Sequence, residues 1–341
     1  GTTVNEASTG NVIPTAMLET TDVDNTAAQL TYTNTAASGN GTLRLSGTAL
    51  GVSDTFTQAD IDAGNVTYDH NGSETVRDSL DLDVDDGAGT NSSGTFNITD
   101  TPVHHEEVLD TNTGTTVNEA STGNVITTAM LETTDVDNAA AQLTYTVTTV
   151  TGNGTLRLSG TALGVSDTFT QADIDAGNVS YDHNGSETLS DSFNFDVDDG
   201  AGTNSSGTFN ITVTPVNDEE VLATNTGTTV NEASTGNVIT TAMLGTTDVD
   251  NTAAQLTYTV TSATGNGTLR LSGTALGVSD TFTQADIDAG NVSYDHNGSE
   301  TLSDSFNFDV DDGAGTNSSG TFNITVTPVN DEQVLATNTG T

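Results

Sequence analysis

The string GTTVNEASTGNVI occupies residues 1–13 and returns unchanged at residues 114–126 and 227–239. Each copy begins 113 residues after the last, and the second and third copies differ from each other at only five positions. A period of 113 residues is the length of a whole small domain and is too long for one unit of a solenoid. The sequence therefore predicts three tandem domains and the start of a fourth, at residues 1–113, 114–226, 227–339 and 340–341.

Within a copy, apolar and polar residues alternate in the manner of half-buried β-strands. In the second copy the alternation runs through residues 142–147, 193–198 and 208–214. A Ser-Gly turn within residues 154–163 predicts a hairpin, and residues 170–177 predict one short helix that begins at Thr170 and ends at Gly177. Many short strands separated by Gly, Asn and Asp turns indicate an all-β chain in which each copy is an antiparallel β-sandwich.

The segment between the last strand of one copy and the next Gly-Thr-Thr-Val is short. In the second copy it runs from Pro215 to Thr226. We assign most of it to the first strand of the following copy, which leaves a linker of only a few residues. Such a linker predicts consecutive sandwiches stacked end to end.

The charge of the chain excludes several classes of partner. Its 341 residues carry 48 acidic groups against four arginines and no lysine, a net charge of −44. Nucleic acid and anionic membranes require a basic surface, and no apolar run approaches the roughly 18 residues of a membrane span. A chain that is 32% hydrophobic and this acidic is either unfolded or neutralised by bound ions. Without cysteine it has neither disulfides nor thiolate sites.

Several acids stand at the ends of predicted strands and in the linkers between copies. Asp135 and Asp137 precede a strand, Glu119 follows an early extended segment, and Asn217 and Asp218 lie in a linker. Calcium takes six to eight oxygen ligands, and Asp-x-Asp spacing places two carboxylates on one side of an extended chain. The pattern indicates calcium between copies. The alternative is a solvated acidic surface without an ion, which we favour for the outward strand acids Asp196 and Asp309.

Four runs in the second copy resemble the chondroitin-sulphate-proteoglycan (CSPG) repeat: FTQADI at 169–174, GNVSYDHNGSE at 177–187, DSFNFDVDDG at 191–200 and PVND at 215–218. That repeat is a cadherin-like module found in giant bacterial surface and RTX-type adhesins and in animal matrix proteins. The resemblance covers essentially all of each copy. It implies cadherin-like (immunoglobulin-like) sandwiches stacked end to end in an elongated rod, with Ca²⁺ at the boundaries between copies.

The resemblance also implies which residues bind the ion, with the group around Asp182, Glu187 and Asp191 supplying one or more ligands. The full set is Glu6, Asp22, Asp24, Asp69, Glu74, Asp78, Glu119, Asp135, Asp137, Asp182, Glu187, Asp191, Asn217, Asp218, Glu232, Asp248, Asp250, Asn330 and Asp331.

The first copy departs from its sisters at three places that bear on this interpretation. His104 and His105 stand where the second copy has Asn217 and Asp218. Imidazole is a poor calcium ligand, so we expect weaker calcium binding, or a different ligand set, at the first boundary. Asn34 and Asp100 also replace valines at strand positions. A carboxylate facing the core is costly, so we expect Asp100 near a domain edge.

Two other motifs have a simpler structural interpretation. His70, His183 and His296 recur after Tyr-Asp in each copy. A Ser-His-Asp triad would need a nucleophile elbow, which the sequence lacks, so a hydrogen-bonded structural histidine is favoured. Residues 81–87 have the acidic spacing of an EF-hand loop, but the distal Glu is missing and we assign them to a strand.

These observations predict a non-enzymatic protein: a calcium-stiffened spacer of a large extracellular repeat protein, of the kind found in bacterial surface adhesins that mediate attachment or biofilm formation. A self-assembling filament or matrix fibre is the alternative, and a glycan-binding module is the third. The expected partners are neighbouring repeats of the same chain and, in the fibre, other copies of it. Nucleic acid and membrane insertion are excluded, and a glycan has little support because the chain has no tryptophan.

Overall fold

The computed structural model describes residues 1–332, so the predicted start of a fourth copy at 340–341 lies outside the described residues. The chain separates into two compact units. The first holds Gly1–Thr115, Gly123–Asp182 and Ser192–Ile211, and the second holds Thr116–Thr122, His183–Asp191 and the chain from Thr212 onward. Within residues 1–332 every helix is far too short to cross a membrane.

The secondary structure repeats with the sequence. The first copy contains β1 (Thr2–Asn5), β2 (Asn11–Val12), β3 (Thr31–Asn34), β4 (Gly41–Leu45), β5 (Thr48–Ala49), β6 (Thr55–Thr57), α1 (Gln58–Asp62), β7 (Val66–His70), β8 (Arg77–Asp85) and β9 (Ser92–Thr101). The next elements are β10 (Val108–Asn112), β11 (Thr115–Asn118), β12 (Asn124–Val125), β13 (Leu131–Thr134), β14 (Thr144–Thr149), β15 (Gly154–Leu158), β16 (Thr161–Ala162), β17 (Thr168–Thr170), α2 (Gln171–Asp175), β18 (Val179–His183), β19 (Ser190–Asp198) and β20 (Ser205–Thr214). The last are β21 (Val221–Asn225), β22 (Thr228–Asn231), β23 (Asn237–Val238), β24 (Leu244–Thr247), β25 (Thr257–Ser262), β26 (Gly267–Leu271), β27 (Thr274–Ala275), β28 (Thr281–Thr283), α3 (Gln284–Asp288), β29 (Val292–His296), β30 (Ser303–Asp311) and β31 (Ser318–Thr327).

The first copy forms two sheets, with strand orders β1-β9-β8-β3-β6 and β2-β7-β4-β5. The third copy repeats both orders as β22-β31-β30-β25-β28 and β23-β29-β26-β27. Apolar residues from both sheets of the first copy, among them Tyr32, Leu80 and Tyr68, join in one buried core. The predicted sandwich is confirmed, with one correction to its antiparallel character: β1 is parallel to β9, and β22 is parallel to β31.

Strands β10 and β21 join elements of the following copy. Strand β10 pairs antiparallel with β13, and β21 pairs in the same way with β24. This pairing confirms that the segment after the closing proline supplies the next copy's first strand. The corresponding residues of the first copy, 18–21, form no strand. The bounds 1–113, 114–226 and 227–339 stay a prediction.

The predicted local signals are present at the helix and the hairpin. The Thr170 side chain accepts a hydrogen bond from the Asp173 N–H, and Asp173 Oδ2 accepts one from the Thr170 N–H at 2.9 Å. This reciprocal capping box typically stabilises a helix start by about 1 kcal/mol. Gly177 follows in the left-handed region with φ of +71°. Strands β15 and β16 pair as the predicted hairpin, and residues 81–85 lie in β8 as expected.

Asp100 is the residue on which the sequence prediction is wrong. Its side chain is fully buried within β9, and Oδ2 lies 3.5 Å from Nε2 of His70, which is equally buried. Neither carboxylate oxygen of Asp100 accepts a hydrogen bond from the described residues. Burial raises the pKa of Asp100, and the facing His70 opposes this shift only in part. The first copy therefore carries a poorly compensated acid in its core.

His70 has the predicted structural role. Its Nδ1 accepts hydrogen bonds from the N–H groups of Ala7 at 3.1 Å and Gly72 at 3.2 Å. His296 makes the matching pair of bonds to Ala233 and Gly298. The histidine thus holds the chain just after β1 or β22, the segment in which the first candidate ligand stands.

Candidate metal centre

A buried glutamate follows the strand that begins each 113-residue copy (β1, β11 or β22): Glu6, Glu119 and Glu232. One carboxylate oxygen, Oε2, accepts a hydrogen bond of 3.1–3.2 Å from a backbone N–H just after the last strand, at Val103, Val216 and Val329 respectively. The other oxygen of Glu119 is buried and has no hydrogen-bond partner among the described residues. An uncompensated buried carboxylate oxygen is costly, so this position calls for a cation.

Two further carboxylates meet Glu119 within the second compact unit. One oxygen from each of Glu119, Glu187 and Asp250 lies within 4.8 Å of the others, and we call this group the second cluster. The Asp250 carboxylate, desolvation and the Glu119 carboxylate, in that order, raise the pKa of Glu187 to about 7. Asp250 Oδ2 also accepts the N–H of Asp218 at 2.7 Å, which places the linker against the cluster.

Asp248 and Asp312 provide further carboxylate oxygens in the same unit. Asp248 Oδ1 accepts N–H bonds from Asp250 at 2.7 Å and Asn251 at 2.8 Å, while its Oδ2 is buried without a hydrogen bond. Asn217 donates to Asp312 Oδ2 at 2.9 Å, and this bond contributes most to a lowered pKa of Asp312. Sequence reasoning missed Asp312, although its place directly after β30 marks it as a strand-end acid.

The third cluster repeats the arrangement one copy later. Ligand atoms of Glu232, Glu300 and Asp331 lie within 4.8 Å of one another. The charge of Glu232 is the largest cause that raises the pKa of Glu300. Asn330 donates to the carbonyl of Asp331 at 3.4 Å. Sequence reasoning missed Glu300, which stands one period of 113 residues after Glu187 and could have been found from that spacing.

The first cluster consists of Glu6, Glu74 and His105 and therefore includes a histidine. It lies in the first compact unit. Asp137 also belongs to this cluster, because its Oδ2 accepts a hydrogen bond from the backbone N–H of His105 at 2.6 Å. Desolvation, Glu6 and Asp137 raise the pKa of Glu74 to about 7. Burial lowers the pKa of His105, but the carboxylates around it raise it to a net value above the ordinary one. Asp135 accepts N–H bonds from Asp137 and Asn138, as Asp248 does in the next copy.

The other predicted ligands are engaged elsewhere. Asp69 and Asp182 each accept a bond of 2.5 Å from an arginine Nε, that of Arg44 or Arg157. These aspartates also accept the N–H of Gly10 or Gly123 at 2.6 Å. Protein donors thus already occupy both carboxylate oxygens, so we leave Asp69 and Asp182 out of the ligand sets proposed below.

Four more predicted ligands lie near strand or turn ends. Asp78 accepts the Tyr68 hydroxyl at 2.6 Å and the Gly39 and Asn40 N–H groups. Asp22 closes a turn by accepting the N–H of Asp24 at 2.7 Å, and both residues are exposed. Asp191 lies in β19. Metal binding by these residues stays a prediction.

A protein-family model described as Cadherin-like matches the chain three times, at residues 2–100, 108–213 and 221–326. The chain belongs to this cadherin-like family. A solved structure, human CDH23 EC21-23, is 13% identical with a TM-score of 0.52, and the match covers 94% of this chain and 96% of that one. At this identity the likeness shows the fold alone. It agrees with the family match, and the predicted cadherin-like fold is confirmed.

Similar sequences occur in much longer animal proteins. The chain is 34% identical to the mouse extracellular matrix organizing protein FRAS1 over 309 residues, which is 87% of this chain and 8% of that protein. It is 37% identical to human chondroitin sulfate proteoglycan 4 over 150 residues, 43% of this chain and 6% of that protein. The resemblance to CSPG repeats is therefore confirmed. The chain spans less than a tenth of the length of either relative.

Proposed function

We propose that this chain is a calcium-stiffened spacer segment of a large extracellular repeat protein. The observation that carries the proposal is the second cluster, in which Glu119 and Glu187 come from the second copy and Asp250 from the third. An ion held by all three residues links consecutive copies. An extracellular location agrees with the relatives, whose names place them in the extracellular matrix or among the proteoglycans.

The donor set favours calcium over other common ions. The second cluster offers carboxylate oxygens, and Asn217, Asp218 and Asp248 supply further oxygens close by. Calcium binds six to eight oxygens at about 2.3–2.6 Å in flexible geometry, so opposite ligands lie about 5 Å apart. The three ligand atoms of the second cluster lie within 4.8 Å of one another, close enough for one calcium ion to contact all of them. The three negative charges favour a divalent cation, which relieves their repulsion.

Near-identical copies suit a spacer, since length then matters more than the chemistry of any one copy. We place such a segment in a surface or matrix protein that holds its functional ends apart. A bacterial adhesin that mediates attachment or biofilm formation is one setting, suggested by the resemblance of the repeat. The animal relatives favour the second candidate, a matrix fibre in which copies of the chain associate.

Small-angle scattering of the whole chain tests the proposal. We expect calcium to narrow the range of overall sizes that the chain adopts in solution, and a chelator to broaden it. Without the ion, the like charges of the cluster face each other and repel. The Asp250→Asn variant should remain broad in calcium, while Asp309→Asn removes the same charge from an outward strand position and should behave as wild type. An identical profile with and without chelator would exclude calcium as the stiffening element. Sedimentation at rising concentration separates a monomeric spacer from a fibre.

Calcium binding at the second cluster should weaken as the pH falls below about 7. The raised pKa of Glu187, about 7, means that a proton occupies this site in the calcium-free protein at lower pH. Displacing one proton weakens the apparent affinity by about tenfold per pH unit below that value. Calorimetry in buffers of different ionisation enthalpy should show about one proton released per ion near pH 6. The Glu187→Gln variant should bind more weakly and lose this dependence.

The same shift in the Glu187 pKa determines whether the stability of the calcium-free chain rises or falls with pH. A raised carboxyl pKa means that the folded chain binds more protons than the unfolded chain between about pH 4.5 and 7. Stability without calcium should therefore fall as the pH rises through that window. A calcium affinity that stays constant from pH 5.5 to 8 would contradict both expectations.

A further inference from the structure

The first cluster differs from the second in the chemistry of its donors. His105 Nδ1 lies 3.4 Å from Asp137 Oδ2 and 3.6 Å from Glu74 Oε1. The other ring nitrogen, Nε2, lies 3.8 Å from Glu6 Oε1. One imidazole is thus surrounded by three carboxylates. The corresponding position in the second copy, Asp218, offers only oxygen.

Glu6 and His105 each present a buried atom or side chain to the first cluster. The Glu6 side chain is only 2% exposed. Its Oε2 accepts the Val103 N–H, so Oε1 is the oxygen directed at His105. The Nδ1 of His105 is itself buried and has no hydrogen-bond partner among the described residues. This buried nitrogen faces Asp137 and Glu74 without a hydrogen bond, and Glu6 Oε1 lies beside the other ring nitrogen. A metal ion would satisfy the Nδ1 atom.

We propose that the first cluster is a zinc site whose ligands are His105, Glu6, Glu74 and Asp137. Zinc binds imidazole nitrogen and carboxylate oxygen at about 2.0–2.2 Å, and tetrahedral geometry then sets ligand atoms about 3.3–3.5 Å apart. The spacings of 3.4 Å and 3.6 Å around Nδ1 are close to that edge length. Calcium prefers oxygen donors and a larger ligand number. Replacing Asn-Asp by His-His thus changes which ion this boundary selects.

His104 acts as a positioning residue. Its Nε2 lies 3.3 Å from Oδ2 of Asp199, whose side chain is fully buried, and its Nδ1 lies 3.9 Å from Asp137 Oδ2. Asp199 Oδ2 has no hydrogen-bond partner among the described residues. His104 therefore lies between that acid and the ligand Asp137, and its effect on Asp137 is electrostatic, since the backbone N–H of His105 makes the hydrogen bond to Asp137 at 2.6 Å.

The inference deepens the proposed function, on which it rests for the idea that ions occupy the boundaries between copies. It assigns different ions to two boundaries of nearly identical sequence. Zinc would then stiffen the first boundary, and calcium the second.

Cobalt spectroscopy and zinc calorimetry on the whole chain, carrying no histidine tag, test the site in a large excess of calcium. We expect one Zn²⁺ per chain to bind despite the calcium. Co²⁺ should show the intense visible bands of a four-coordinate site, which Zn²⁺ then abolishes. His105→Asn should weaken zinc binding by about tenfold or more, and His104→Asn should have a smaller effect. A six-coordinate Co²⁺ spectrum, or equal zinc binding after His105→Asn, would overturn the proposal.

The repeat supplies matched exchange variants. His104→Asn with His105→Asp gives the first boundary the residues of the second, and this variant should lose the zinc site. Asn217→His with Asp218→His should create a second zinc site per chain, after circular dichroism has shown that the variant is folded. A folded exchange variant without a second zinc site would contradict the assignment of selectivity to these residues. Calcium binding by the second cluster is measured separately through Asp250→Asn, so the zinc site and the calcium proposal can fail independently.

Discussion

Replacing Asp100 by valine is expected to raise the free energy of unfolding of the first repeat by about 1–4 kcal/mol. The buried carboxylate has no hydrogen bond among the described residues. His70 faces it at 3.5 Å, and the negative charge of Asp78 repels it. Valine occupies the corresponding buried positions, Val213 and Val326, so the strand accepts that side chain in this register. In the variant, His70 Nδ1 still accepts hydrogen bonds from the N–H groups of Ala7 and Gly72. Its Nε2 can form a hydrogen bond with the Thr75 hydroxyl, as His296 Nε2 does with the Thr301 hydroxyl at 3.4 Å.

The reverse exchange provides the matched control. Val213→Asp puts an acid into the core of the second repeat, and we expect a loss of roughly 3 kcal/mol there. Hydrogen exchange followed by mass spectrometry reports the strands of each repeat separately within the whole chain. The gain from Asp100→Val should shrink toward pH 4, since the raised pKa of Asp100 means that the acid is neutral in the folded state at low pH. An Asp100→Val chain that is no more stable at neutral pH would contradict this account.

The alternation of apolar and polar residues was enough to predict strands, because burial on one face of a sheet is a local pattern. The residues from Phe193 to Asp198 fall within β19, and each buried residue alternates with a less buried one. The parallel pairing of β1 with β9 was not predictable in this way. It joins residues from opposite ends of a copy, and no local pattern encodes which distant strand lies beside which.

The candidate site was predictable to the extent that repetition and strand ends marked it. Glu119, Glu187 and Asp250 were all predicted ligands, and the structure brings their carboxylates together. Asp69 and Asp182 had equally suitable spacing, but arginines on β4 and β15 reach them. Which carboxylates remain free depends on these cross-strand neighbours. The burial of Asp100 escaped prediction because the cost of a core acid favours an edge position without enforcing it.

Neutralising Glu119 should produce the largest change in calcium binding, a loss of affinity of about tenfold or more at the second cluster. Glu119→Gln keeps the shape of the side chain and an oxygen for the Val216 N–H, so the local backbone should hold. What disappears is the charge of the buried carboxylate whose Oε1 has no hydrogen-bond partner among the described residues. In a desolvated site that charge interacts with the ion far more strongly than a surface charge does.

The sign of the effect on stability should reverse with calcium, and this reversal separates a ligand from an ordinary surface acid. Without calcium, Glu119→Gln removes repulsion against Glu187 and Asp250 and should stabilise the chain. In excess calcium the wild type gains the free energy of ion binding, which the variant largely lacks, so the variant should be the less stable one. Asp309→Asn removes the same single negative charge from an outward strand face and should show no crossover. Thermal unfolding of the three chains, with calcium and with chelator, measures all six values. Parallel shifts in Glu119→Gln and Asp309→Asn would mean that net charge, and not a bound ion, governs the boundary.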